Sequence, residues 1–381
     1  MKLLIGGDLV PTKSNIPLFE SADVETLLGK DLLALLASAD YRLFNLEVPL
    51  TDGVNPIRKC GPNLIAPRAT IAGIKAIGVD CVTLANNHIM DQSEQGLFST
   101  IQTLQENGIA YVGAGENLQT AQKPVILELD GHRIGVYACA EHEFSIATPH
   151  SSGANPFDPL ESLDHIAELK QQTDYVIVLY HGGKEHYRYP LPNLQKVCRK
   201  IVEKGADLVV CQHSHCIGCE ERWQGGRIVY GQGNFLFDHS KSEFWQTSLL
   251  IELSANEKIM LTYHPLKKQG NTVRLAQGEE AEEIRSAFYN RNTEIQEEGV
   301  LERKFRAFSE EMFWSYLGTF YGNRTKKLWF RIINKLSGYR FAKWYLNRQY
   351  DRQALLRIQN YVECEAHREV LIGGIKLREK E

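Results

Sequence analysis

Residue types able to hold a metal ion recur in this chain at the ends of short apolar runs. Asp8 follows Leu3-Leu4-Ile5, Asn45 and Glu47 follow Leu43-Phe44, and Asn86, Asn87 and His88 follow Val82-Thr83-Leu84. Further on, His181 follows the run 176–180, His213 and His215 follow 208–211, and Asn234 follows Ile228-Val229-Tyr230. Ligand sites of α/β sheets sit at strand ends. One such residue alone is ordinarily a helix cap, a turn former or a satisfied histidine. Six strand ends in succession, each carrying one, form a set. Two carboxylates, an Asn and three His have the composition of a two-metal site, where imidazole suits Mn, Fe, Zn or Ni and a carboxylate can bridge. The corresponding chemistry is attack of water on a phosphoryl or carbonyl centre.

Positioning such a set requires a sheet. Strand-like runs fall at 2–5, 42–45, 80–84, 125–129, 134–138, 175–180, 207–211, 227–230 and 247–253. Helical patterns at 26–37, 67–77, 96–107, 161–171 and 194–204 separate several of them, with apolar residues at three-to-four spacing. Alternation of strand and helix predicts an α/β domain. The runs flanking Asp130-Gly131 read as a hairpin, so the sheet is mixed. From about Glu279 the β-branched runs give way to long helical patterns rich in Arg, Lys and aromatics, which places a boundary near 270 and predicts a first domain over 1–270 and a helical extension over 271–381.

The 381 residues, 43% hydrophobic and 24% charged, exclude disordered and multi-span membrane classes. The N-terminal apolar stretch is too short for a signal peptide, and the chain carries no run long enough to span a membrane. Eight irregularly spaced cysteines read as reduced thiols used as small hydrophobes, and the expected location is cytoplasmic. Cys211, Cys216 and Cys219 could be read with His213 and His215 as a zinc knuckle, or Cys216-Ile217-Gly218-Cys219 as a redox pair; neither has its usual second element, so incidental thiols are expected.

Several segments together carry a resemblance. Gly7-Asp8, Asn45-Leu46-Glu47-Val48-Pro49-Leu50-Thr51, Asn86-Asn87-His88-Ile89-Met90-Asp91, Gly113-Ala114-Gly115, His181-Gly182-Gly183-Lys184-Glu185, His213-Ser214-His215 and Gly231-Gln232-Gly233-Asn234-Phe235 resemble, in this order, the bacterial capsule-synthesis (poly-γ-glutamate synthesis) CapA family of the calcineurin-like metallophosphoesterase superfamily. The resemblance implies a four-layer αββα sandwich of mixed sheets with two divalent ions (Mn, Fe, Zn or Mg). Asp8, Glu47 and His215 would hold one ion, and Glu47, Asn87, His181 and His213 the other. His88 would protonate a leaving oxygen with Asp91 orienting it, and Asn45, Asn86, Glu185 and Asn234 would face the substrate. The superfamily's first motif is Asp-x-His, whereas this chain reads Asp8-Leu9-Val10, which leaves the first ion one protein ligand short. Gly182 replaces the family's usual Trp, and Cys211-Gln212 its Gly-His. Many members carry an N-terminal membrane anchor, and this chain begins almost on its first strand.

The implied function is a metal-dependent hydrolase in capsule or anionic surface-polymer biosynthesis, acting on a phosphoester or on an amide or ester. The rival is a non-catalytic, metal-stabilised assembly or binding factor for an acidic polymer. A nucleic-acid phosphodiesterase is disfavoured: the net charge of −4, less the +8 carried by residues 301–381, leaves −12 on the first 300 residues, which repels a polyanion. The stretch 321–350 holds eight Lys and Arg and no Asp or Glu, interleaved with Trp329, Phe330, Tyr339, Phe341, Trp344 and Tyr345. It reads as a helical subdomain burying its aromatics on the α/β domain, or as a basic amphipathic helix on an anionic membrane or polymer.

Overall fold

Apolar side chains on both faces of the strands dictate how the layers stack. In chain order the strands are β1 (Lys2–Val10), β2 (Tyr41–Leu46), β3 (Cys81–Thr83), β4 (Ala110–Val112), β5 (Ala114–Gly115), β6 (Val125–Leu129), β7 (His132–Ala140), β8 (Gly153–Ala154), β9 (Tyr175–His181), β10 (Leu208–Gln212), β11 (Glu220–Trp223), β12 (Gly226–Val229), β13 (Asn234–Phe237), β14 (Thr247–Ala255), β15 (Ile259–Gln269) and β16 (Thr272–Leu275). The computed structural model describes residues 1–255, 259–319, 324–338, 340–363 and 375.

One sheet runs β16-β15-β14-β1-β2-β3-β4, with β13 also paired to β1; β1 to β4 and β13 are parallel, β14 to β16 antiparallel. The other runs β11-β12-β10-β9-β7-β6, parallel at its centre and antiparallel at both edges. Leu3 and Ile5 of β1, Leu43 of β2, Val136 of β7, Ile177 and Leu179 of β9 and Val210 of β10 share one core, so the two sheets meet face to face. Alternate residues point outward: Leu4, Phe44 and Val82 pack under the helices Lys30–Ala37, Ile71–Ala76 and Ser93–Glu106. On the far side Tyr137, Val178 and Val209 pack under Ser162–Gln172 and Pro192–Glu203. The period-two alternation of strand side chains thus builds the αββα sandwich.

The expected hairpin is β6 and β7, turning through Asp130 and Gly131, both with positive φ. Other expectations are corrected. The helix expected over 26–37 is two, Val24–Leu28 and Lys30–Ala37, because Gly29 takes φ 75° between them. β1 does not end at residue 5 but continues through Asp8, with shifts of register around it. Asn234 opens β13 instead of following a strand. The boundary also lies later than the composition suggests: two compact units are Met1–Leu301 and Glu302–Glu381. The helix Gly278–Glu294 belongs to the first because Ala281, Ile284 and Phe288 are buried in the inter-sheet core. In the second unit, Phe330 meets Phe341 and Tyr345 between the helices Arg324–Leu336 and Arg340–Gln349.

Candidate metal centre

Adjacent parallel strands deliver the centre. Asp8 is the register partner of Asn45 on β2 and of Asn234 on β13. That approach needs Gly6 and Gly7: a Cβ on Gly6 would lie 2.1 Å from the Phe44 ring, and one on Gly7 would lie 1.9 Å from the Gly233 carbonyl oxygen. Glu47 follows β2 directly and is fully buried. His181 ends β9 opposite Gln212 of β10. The chain then turns through His213 and His215 with φ 88° and 53°, a conformation costly for residues with a Cβ and concentrated at functional sites.

Ligand atoms of Glu47, His181 and His213 all lie within 4.8 Å of one another, and so do those of Asp8, Glu47 and His215. Glu47 belongs to both groups. Asn87 Oδ1 stands 3.0 Å from His181 Nε2, beside the first group. All six residues expected as ligands therefore converge. Both carboxylate oxygens of Glu47 and Nδ1 of His213 are buried without a hydrogen-bond partner among the described residues. Leaving such groups unpaired is expensive, and the donor set of carboxylate, imidazole and amide oxygens suits divalent cations.

Electrostatics describe the same centre without cations. Burial, and then the Asp8 charge, push Glu47 up to about 8. Burial opposes ionisation of Asp8, but the hydrogen bond and charge of His215 outweigh it and hold Asp8 below the usual range. Burial likewise opposes charge on His215, yet its hydrogen bond to Asp8, with the Glu47 and Asp8 charges, raises it to about 9. Burial lowers His181 to about 4 and holds His213 well below the ordinary histidine range. One ion pair, Asp8 with His215 at 3.2 Å, thus stands beside a protonated Glu47.

His88 Nδ1 lies 2.6 Å from Asp91 Oδ2, the pairing the sequence suggests. Sequence reasoning missed Lys59, whose side chain is only 2% exposed and pairs with Asp91 Oδ1, with Nζ 3.2 Å from His88 Nδ1. It also missed Glu143, which accepts from Asn87 Nδ2 at 2.9 Å and so fixes which face of that amide turns to His181. Both sit in irregular loops, where nothing in the local pattern separates them from solvent-facing residues. A third omission is Trp245, whose ring lies 4.5 Å from that of His215 and is tilted by 37°, and which donates Nε1–H to His186.

Two residues expected at the substrate are not there. Asn45 and Asn86 are fully buried. Asn45 donates to Asp8 Oδ1 at 2.7 Å, and Asn86 donates to Asn45 Oδ1 and the Leu46 carbonyl while accepting from the His88 amide. They are braces for the ligands because an amide at zero exposure must be satisfied internally. Asn234 Oδ1 contacts His215 Nδ1 at 2.8 Å, on the ligand side. Glu185 stands 3.9 Å from His213 and is partly exposed, as a substrate contact requires. The cysteine motif forms no centre: Cys211 packs with Cys198, their sulfurs 3.6 Å apart, and with Cys219 in the outer core. The seven described cysteines are free, and six of them are buried; Cys364 lies outside the described residues.

The family model for the bacterial capsule synthesis protein PGA_cap matches residues 2–239. The capsule biosynthesis protein CapA of Bacillus anthracis is 30% identical over 244 residues, covering 61% of this chain and 59% of that protein. The PGA biosynthesis protein CapA of Bacillus subtilis is 27% identical, covering 62% and 60%, so the chain spans about 60% of the length of these curated relatives. A probable polyglutamine synthesis accessory protein of Mycobacterium tuberculosis is 28% identical, covering 55% and 59%. Among solved structures, a phosphatase of Mycoplasma pneumoniae aligns at 14% identity with a TM-score of 0.44, covering 71% of this chain and 94% of its own.

Proposed function

This chain belongs to the bacterial capsule synthesis family, and from that premise we propose that residues 1–301 are a divalent-metal-dependent hydrolase serving synthesis of a capsule or other anionic surface polymer. One observation carries the reading: Glu47 is fully buried with neither oxygen hydrogen-bonded, its Oε1 3.3 Å from His181 Nε2, and it belongs to both ligand groups. Asp8, Glu47 and His215 would hold one divalent cation, and Glu47, Asn87, His181 and His213 the other. Asn234 Oδ1, 2.8 Å from His215 Nδ1, is a further oxygen beside that group, where Val10 offers none. Two cations in such a site supply Lewis acidity and acidify a water, suited to opening a phosphoester, or an amide or ester bond.

The chain's own groups do the rest. His88 holds a proton for the leaving oxygen, its ring fixed through Nδ1 by Asp91, which is in turn paired to Lys59. Glu143 sets the Asn87 amide, and Asn45 and Asn86 set Asp8. Burial opposes charge on Glu185, but the surrounding cationic groups hold it below the usual carboxylate range; it faces a cationic or hydroxyl group of the substrate.

Elemental analysis of the purified protein, paired with hydrolysis of aryl phosphodiesters and monoesters in Mn²⁺ before and after chelation, tests this reading. Two metals per chain and chelator-sensitive turnover are expected, with Glu47→Ala losing both together. Retained two-metal stoichiometry in that variant refutes the assignment. A buried Val10 in place of a histidine favours a second reading, a metal-stabilised binding factor for an acidic polymer. His88→Ala separates the two: turnover lost with metal retained supports the enzyme, whereas unaltered capsule formation supports the binding factor.

A further inference from the structure

The second unit carries an apolar surface in excess of its own core. Leu328, Trp329, Ile332, Ile333 and Leu336 of the helix Arg324–Leu336 are 60, 66, 42, 40 and 82% exposed. Their spacing places them on a single helix face. Phe330 lies on a different face and already makes the contact with the next helix, 5.6 Å from Phe341 and 5.7 Å from Tyr345, whose chain neighbour Leu346 is fully buried. The two helices therefore have their mutual core, and the five-residue stripe is surplus to it. Trp344, on the second helix, is 57% exposed.

Charge specifies what covers the stripe. The segment 321–350 is +8, with no acidic residue, while the rest of the chain sums to −12. The helix Arg324–Leu336 itself carries five Lys and Arg and no Asp or Glu. A stripe of exposed Leu, Ile and Trp on a helix otherwise rich in cations is the composition of a helix lying in a lipid interface. An acidic polymer in water would engage the cations and leave five large apolar side chains wet. Among the described residues no helix is long and apolar enough to cross a membrane, so this one would lie on the surface.

We propose that the helix Arg324–Leu336 is a membrane-surface anchor that lays its apolar stripe into the headgroup region of an anionic phospholipid leaflet, with its Lys and Arg on the lipid phosphates. The proposal is independent of the hydrolase reading. The test is flotation of the full chain with vesicles of phosphatidylglycerol and phosphatidylcholine, against phosphatidylcholine alone. Binding to the anionic vesicles only is expected, weakening with salt and by about fivefold for each Lys→Gln at 327 and 335. The double variant Trp329→Ser, Ile333→Ser keeps the charge and removes exposed side chains only; it should bind about tenfold or more weakly, with an unchanged circular dichroism spectrum. Equal binding to both vesicle types, no flotation, or wild-type binding by the double variant overturns the proposal. So does binding of soluble poly-γ-glutamate in preference to vesicles, which would assign the cations to a polymer. Should the double variant misfold, the Lys327→Gln and Lys335→Gln variants decide.

Discussion

In the metal-free centre, protons stand where cations would bind. Glu47 at about 8 and His215 at about 9 both carry one at neutral pH, and each must lose it to serve as a ligand. Metal uptake should therefore release protons, and affinity for Mn²⁺ should rise steadily between about pH 6 and 9; titration calorimetry in two buffers of different ionisation enthalpy measures both. The sign for folding is the reverse. Both folded-state values lie above the ordinary ones, 4.5 and 6.5, so their stabilisation is fully present at low pH and is lost as pH rises through 8 and 9. The Tm of the chelated protein should fall over that window, and added Mn²⁺ should reverse the fall. A separate expectation concerns the pair behind His88. Lys59→Met removes the partner of Asp91 Oδ1 and leaves that buried oxygen unpaired, which should cost about 1–3 kcal/mol in urea unfolding while the metal count stays at two. By contrast, His88→Asn should keep metal and stability and lower turnover by about 10²–10⁴. The six candidate ligands were legible in the sequence because they sit at or just past strand ends with metal-binding chemistry. Lys59 and Glu143 were not, because their roles arise from burial and aim that only tertiary packing supplies.

At the scale of elements, the centre depends on how closely three parallel strands approach. β1 lies between β2 and β13, and Gly7 faces Gly233, the residue that leads into β13. A methyl group there would meet the Gly233 carbonyl oxygen, a backbone atom that cannot turn aside as a side chain would. Gly7→Ala should push β13 off β1, separating Asn234 and His215 from Asp8. A stability loss of about 1–3 kcal/mol is expected from the overpacking, with weakened occupancy of the first cation while the second is kept; metal titration with elemental analysis distinguishes the two sites. The central strands were readable because residues buried on both faces form continuous apolar runs. β4, β5, β8, β11, β13 and β16 escaped because they are only two to four residues long, and β15 because its apolar residues alternate. β15 alternates Ile259, Leu261 and Tyr263 with Met260, Thr262 and His264 and includes a proline, while β13 is four residues long. The helix broken at Gly29 escaped because its apolar periodicity continues across the break, and only the positive φ of the glycine separates the halves.

At the scale of the whole molecule, composition and packing disagree about where the first unit ends, and the disagreement bears on the site. The sequence turns helical, charged and aromatic after residue 270, yet the helix Gly278–Glu294 is part of the α/β unit. Phe288 is fully buried, 4.6 Å from Tyr263. The same helix holds the loops that carry the ligands. Arg291 Nε donates to the Gly218 carbonyl at 2.7 Å, three residues after His215. Asn292 Oδ1 accepts from the Glu220 amide at 2.7 Å, and Glu294 accepts from the Tyr189 hydroxyl, in the loop after His181, at 2.6 Å. A chain cut at residue 301 should therefore fold, bind two metals per chain and turn over aryl phosphoesters as the full chain does. A chain cut at 270 exposes the surface that Ala281, Ile284 and Phe288 cover and removes all three ties. It should melt well below the longer fragment and lose metal, since deleting a single buried Phe commonly costs about 3–5 kcal/mol. Differential scanning calorimetry with elemental analysis of the two fragments measures this. Equal Tm and metal content would mean that the helix merely rests on the sandwich and that the composition break marks the true edge of the folding unit.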